Sequence, residues 1–241
     1  MLQRRLLLTI LLVFLPMQTN AVDNLAQEYI QAKPGIAQLI IDKGLARINN
    51  DARKNVIADV NSIDEKYANK QALLDGHPKS KQERRKTITG RPSLDGMNVD
   101  ELYKAFATRF DFFIDNNDST GIIDGLRYAL IKFSPKPNLT NNTVTNAFIN
   151  HTAGKVYINL DNYEIVRIEG DISNHFVTIW RAWWSPISFD IDVYEFGFSI
   201  DYVMFNNMMI EKNLNGIVDY EIRNRGVEKH TYTLSNYRMH R

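Results

Sequence analysis

The C-terminal half of the chain is a succession of short runs in which apolar and polar residues alternate. Phe189, Ile191 and Val193 interleave with Asp190, Asp192 and Tyr194, and Phe196, Phe198, Ile200 and Tyr202 continue on a shifted register. A period of two places the apolar side chains on one face of a strand and the carboxylates on the other, the signature of an antiparallel sheet with one buried and one wet side. Strands are expected at 126–133, 143–150, 155–160, 164–169, 176–179, 187–195, 196–204, 217–225 and 227–237. Turn residues punctuate them: Ala153-Gly154, Asp161-Asn162, Gly170-Asp171, Asn215-Gly216 and Arg225-Gly226. Short links favour antiparallel neighbours.

The N-terminal half follows a different period. Asn24 and Gln27 form a capping box ahead of Leu25, Tyr29 and Ile30, and Pro34-Gly35 ends that helix. Ile36, Leu39, Ile40 and Ile48 recur near 3.6 residues and predict a second helix, weakened by Gly44 at a cost of about 1 kcal/mol. Residues 51–74 fit a strand around Val56, Ile57 and Val60, or a helix through Ile63, Tyr67 and Leu74. From 75 to 97 charge, Gly, Pro and Ser predominate and predict a long exposed loop, the first place for trypsin to cut. Asn98 and Glu101 cap a further helix lined by Leu102, Phe106, Phe110 and Phe113. The expected fold is therefore α+β: a helical, loop-rich segment at 22–114, then an antiparallel β domain at 115–241, the sheet covered by the helices.

The first residues address the compartment. Arg4 and Arg5 precede an apolar run from Leu6 to Leu15, followed by Pro16 and a Thr19-Asn20-Ala21 site, the pattern of a secretory signal cleaved after Ala21. The run is shorter than the roughly 20 residues that a spanning helix needs. Gln3 ahead of the arginine pair and the strongly apolar run favour ordinary over twin-arginine secretion. No cysteine occurs in the chain, which excludes disulfides, thiol chemistry and a lipidated N-terminal Cys. A periplasmic or secreted protein is expected, not an integral membrane one. An outer-membrane barrel would suit the charged strand faces, but the helical N-terminal half and mostly short runs argue against it.

Charge narrows the partners. The full chain has formal charge +1, and loss of Arg4 and Arg5 gives +1 − 2 = −1, so no basic excess points to nucleic acid. Lys79, Lys81, Arg84, Arg85 and Lys86 form the one basic cluster, read as a solvated face. The histidines at 77, 151, 175, 230 and 240 show no H-E-x-x-H spacing, His230 and Glu228 share one strand face and are expected in solvent, and no nucleophile elbow, dinucleotide fingerprint or phosphate loop is present. Asp190 with Asp192, and Glu169 with Asp171, are pairs of strand carboxylates too few for a calcium site and expected in solvent. No enzyme activity, metal or cofactor is expected. Asn117, Asn138, Asn141 and Asn150 head Asn-x-Ser/Thr triplets, glycan acceptors in a eukaryotic secreted chain and otherwise polar turns.

One stretch carries a family resemblance. Thr152-Ala-Gly-Lys-Val-Tyr-Ile-Asn-Leu-Asp-Asn-Tyr-Glu-Ile-Val-Arg-Ile-Glu-Gly170, preceded by Leu130-Ile-Lys-Phe-Ser-Pro-Lys-Pro137, resembles the strand pair of bacterial periplasmic proteins of the LolA-like fold, the lipoprotein-sorting and RseB-like group. Its pattern is G-x-(V/I)-(W/Y)-I-(D/N) followed by (I/V)-x-R-(I/L)-E. The likeness spans about residues 120–240, with Asn159 where Asp is common, and leaves 22–100 outside it. It implies an open half-barrel sheet wrapped around helices that holds, or senses, lipid or lipoprotein acyl chains. A fold hosts many functions, so the ligand must be argued from residues.

Two groups could line an apolar cavity: Trp180, Trp183 and Trp184 before Pro186, and Met204, Phe205, Met208 and Met209. Tryptophan offers contact area with a polar edge, and methionine adapts to irregular shapes. The same residues would equally serve as core packing. The function expected is a non-enzymatic carrier or binder of acyl chains or lipoproteins. The alternative is a structural or protein-interaction module, an envelope sensor without a cavity. The two differ in whether the sheet's apolar face is open or filled by the protein's own helices.

Overall fold

The alternating runs assemble into one eleven-stranded, wholly antiparallel sheet in the computed structural model, which describes residues 35–49, 51–92, 99–114, 120–141, 143–172, 174–181 and 188–240, with backbone alone at 180 and 181. The expected signal sequence and the capping box at Asn24 lie outside these residues. In chain order the elements are α1 (Ile36–Ile48), a 3₁₀ turn (Asp51–Asn55), β1 (Val56–Tyr67), α2 (Lys70–Leu74), β2 (Ser80–Thr89), α3 (Val99–Thr108), β3 (Phe110–Phe113), β4 (Thr120–Ile123) and β5 (Leu126–Pro135). There follow α4 (Val144–His151), β6 (Thr152–Asn159), β7 (Glu164–Ile172), β8 (Phe176–Arg181), β9 (Ser188–Phe205), β10 (Met208–Glu221) and β11 (Arg225–Met239). The strand order is β2-β1-β11-β10-β9-β7-β6-β5-β3, with β4 on β5 and β8 on β9. The order is open: β2 ends one side and β3 the other.

The shifted alternation in the sequence is a β-bulge. Expected as two strands, 188–205 is one, in which Val193 pairs with Tyr220 and Glu195 with Asp219, leaving Tyr194 as the extra residue. An inserted residue switches the parity of every later side chain. Ile191 and Val193 before it, and Phe196, Phe198, Ile200 and Tyr202 after it, consequently pack on the same core.

Several expectations change. The stretch 143–150 is not a strand but the helix α4: the Thr143 hydroxyl accepts from the Asn146 N–H at 3.0 Å, a cap, and Ala147, Phe148 and Ile149 are buried together, as a helical face allows and strand alternation does not. The 75–97 loop contains β2, and 22–114 supplies β1, β2 and β3 to the common sheet besides its helices. Phe110 and Phe113 belong to β3, not to the helix of Leu102 and Phe106. Asn215-Gly216 lies within β10; the turn is Asn206-Asn207, both with positive φ (49° and 62°), the two-residue hairpin geometry that asparagine tolerates. Ala153-Gly154 and Gly170-Asp171 also lie within strands, whereas Asp161-Asn162 is a true turn.

The core lies between one sheet face and the helices. Ile41 and Ile48 of α1 and Leu102 and Phe106 of α3 are wholly buried, in one cluster with Ile158, Ile165, Ile168 and Ile200 of the sheet. Phe106, Phe110 and Phe133 meet at centroid separations of 4.9–5.3 Å, favourable edge and tilted contacts. Gly44, expected to weaken α1, has a packing reason instead. A Cβ there would stand 2.7 Å from the side chain of Ile165, so α1 settles on the sheet only because this residue has none.

Candidate functional site

The residues expected to line a cavity divide. Trp183, Trp184 and the side chain of Trp180 lie outside the described residues. Met204, Phe205, Met208 and Met209 flank the Asn206-Asn207 turn, Phe205 pairing with Met208 and Met204 with Met209. Adjacent strand residues face opposite ways, and here both sides are covered. Met209 joins the main core, and Met208 packs with Val56 and Ile210 in a second cluster reached by Phe205, Val203 and Tyr237. Met204 is 38% exposed. None of the described cavities is lined by these four.

A buried charge sits beside them. Glu211, on the same face of β10 as Met209, has no exposed surface. Its Oε2 accepts from Arg53 Nη2 at 2.7 Å, and its Oε1 from the Tyr103 hydroxyl at 3.1 Å; the Tyr202 hydroxyl lies 2.6 Å from that of Tyr103. Arg91 extends the cluster, donating to Asp100 and to the Ile48 carbonyl, while its Nε stays 3.6 Å from Glu211. Arg53 also donates to the Gly90 carbonyl at 2.7 Å. Burial and the Glu211 charge hold both tyrosine hydroxyls well above their ordinary pKa, so they remain neutral donors. The group ties α1, the 3₁₀ turn, the residues after β2, α3 and the β9–β10 hairpin to one carboxylate. Chemically it is a clamp, with both acid oxygens occupied.

A second cluster lies where the core face runs out into polar residues. His230, nearly buried, is 2.9 Å from Asp64 through Nδ1 and 3.5 Å from Glu228 through Nε2. Its pKa is raised, first by the Glu228 contact and then by Asp64, against the opposing effect of burial. Glu228, also bonded by Lys66 and by the Tyr220 hydroxyl, is lowered to about 2. Arg84 of β2 completes the set by pairing with Asp64. With both ring nitrogens facing carboxylates, His230 is built to stay an imidazolium and is poorly suited to abstract a proton. Among the described residues no group of acids and histidines forms a metal site.

The largest described cavity is a groove of about 630 Å³ across β2, β1 and β11, lined by Asp59, Val60, Asn61, Arg85, Lys86, Thr87, Ser235 and Asn236. The Asn61 Oδ1 is buried without a hydrogen-bond partner. Two smaller hollows of about 330 Å³ lie beside Arg53 and Arg91 and around Gly197. Sequence reasoning named the basic residues of the groove as a solvated face, placed the Glu228–His230 pair in solvent although His230 is buried, and missed the Glu211 cluster. Glu211 stands alone after Met-Met-Ile, and Asp64 and Arg84, which close the His230 cluster, lie on other strands, so only the register brings them to the Glu228–His230 pair.

The fold is thus an open antiparallel sheet with helices on one face, a polar groove at one edge and no assembled catalytic group among the described residues. No protein-family model and no curated protein matches the sequence. Solved structures similar to it include the Pseudomonas aeruginosa MucA/MucB complex and MucB in complex with MucA(peri), each at 7% identity, covering 85% of this chain and 99% of the other, with a TM-score of 0.25. Superposition at that level carries no argument about this chain.

Proposed function

We propose that the chain is an exported envelope protein that acts by binding, without catalysis, and that it engages another protein instead of sheltering an acyl chain. Export is read from Arg4, Arg5, the apolar run and Ala21, and no described helix is long and apolar enough to cross a membrane. One observation carries the preference for a protein partner. The sheet face that would cradle a lipid is packed by α1 and α3, with Ile41, Ile48, Leu102 and Phe106 at 0% exposure. The methionines expected at a cavity mouth are likewise used, Met208 and Met209 each 2% exposed. A ligand pocket is ordinarily concave and apolar, whereas the largest described groove is polar.

Titration with a fluorescent fatty acid tests the choice. No saturable binding is expected from the wild type. Saturable binding that Met208→Ala and Met204→Ala abolish, with melting temperatures retained, would reinstate the acyl-chain reading.

A further inference from the structure

The strand β2 presents a problem of stability. Nine of its ten residues are exposed and only Ile88 is partly covered, so the strand adds almost nothing to the core, although ordering its backbone costs conformational entropy at every residue. It is held by its ladder to β1 and by pairs such as Lys81 with Glu65 and Arg84 with Asp64. Its other edge has no strand partner among the described residues.

We infer that β2 is a docking edge onto which an acidic, extended segment of a partner protein adds as a further strand, an inference that rests on the protein-binding reading above. The backbone geometry is prepared for it. The Gly90 N–H donates to the Val56 carbonyl at 2.9 Å, and hydrogen-bonded pairs alternate along an antiparallel ladder. Counting back by twos, Ile88, Lys86, Arg84 and Gln82 turn their backbone groups to β1, and Thr87, Arg85, Glu83 and Lys81 turn theirs outward. Main-chain bonds of that kind supply affinity in strand addition, and side chains supply specificity.

The charge selects the partner. Between Lys81 and Lys86 the edge carries Lys81, Arg84, Arg85 and Lys86 against Glu83, a formal 4 − 1 = +3. Basic side chains protect a sheet edge from indiscriminate pairing. Here they also oppose a second copy, since β2 against β2 would set one basic run beside another, while an acidic strand is drawn in. The groove gives such a strand a second contact. Arg85 and Lys86 line it, within reach of acidic side chains on the added strand.

The test is calorimetric titration of the full chain with a synthetic peptide of alternating Glu and Val, about twelve residues long, together with amide hydrogen exchange. Saturable binding is expected, with new protection at the outward amides of Lys81, Glu83, Arg85 and Thr87. Glu83→Ala should bind as well as wild type or better, whereas Glu83→Pro, which deletes one outward N–H at an edge position that tolerates proline, should bind about tenfold or more weaker. Reversing the charge with Arg85→Glu and Lys86→Glu together should cost a similar factor. Equal affinity of the Pro and Ala variants, or no binding by wild type, overturns the inference. So does binding to vesicles of anionic lipid with β2 amides left unprotected by the peptide, which would make a membrane surface the occupant. Lipid-free protein that ignores the peptide loses this inference alone, whereas a co-purified acyl chain removes the protein-binding reading itself.

Discussion

Between β9 and β10, Ile200 and Leu214 have no exposed surface and Phe198 retains only 6%, whereas β2, three strands beyond β10 at the sheet's edge, exposes nearly its whole length. Both belong to the same sheet and are held by the same kind of ladder. The first region is stabilised by apolar area removed from water, of the order of 25 cal/mol per Å². The second relies on exposed ion pairs, each of which is ordinarily worth about 0–1 kcal/mol. A sheet that needed only stability would end at β1. On the proposal made above, the centre serves folding and the β2 edge serves contact with another protein.

The largest expected effect lies in the centre. Glu211→Ala should strand Arg53 and the nearby Arg91 guanidinium in the interior and lower unfolding free energy by about 3–5 kcal/mol in denaturant melts; a loss below about 1 kcal/mol would show the cluster to be solvated. Next comes Gly44→Val, expected to lose about 1–3 kcal/mol by forcing α1 off Ile165, although helix propensity alone would make it neutral or favourable. Thr143→Ala removes the α4 cap and should cost about 1 kcal/mol.

These three sites also show what the sequence could convey. Period and turn chemistry identify local elements, so α1 and most strands from 126 onward were legible, and even the bulge at Tyr194 was present as a change of parity. What is decided by partners was not. Residues 80–89 lack alternation because neither face is buried, and they are a strand only because β1 pairs with them. Residues 143–150 carry enough Val, Thr and Phe for a strand, yet the Thr143 cap settles a helix. Of the candidate cavity residues, Met208 and Met209 are a hairpin's packing, a role fixed by cover on both faces that no run of residues displays.

At the boundary between the two regions, His230 gives a pH-dependent effect of intermediate to small size. Its folded pKa is raised, so its stabilisation is complete below the unfolded value of about 6.5 and is lost as pH rises through the folded value. Glu228, lowered to about 2, acts oppositely: its contribution is present above the unfolded value of about 4.3 and is lost as pH falls toward about 2. The melting-temperature gap between wild type and His230→Gln should therefore be widest between about pH 4.5 and 6.5 and narrow as pH rises through the raised folded value of His230. A gap constant over that range would deny His230 a linked charge. The smallest effect belongs to the edge: Lys86→Ala, on an exposed position, should change stability by less than about 0.5 kcal/mol. A larger loss would make β2 a structural element and erase the contrast.

The central claim is that the sheet's apolar face is filled by the chain's own helices and that binding occurs outside it. Native mass spectrometry of the protein purified from a bacterial envelope tests this most directly. The account predicts the mass of the polypeptide, free or joined to a protein partner, with no lipid adduct; a stoichiometric adduct of acyl-chain mass that survives purification would contradict it.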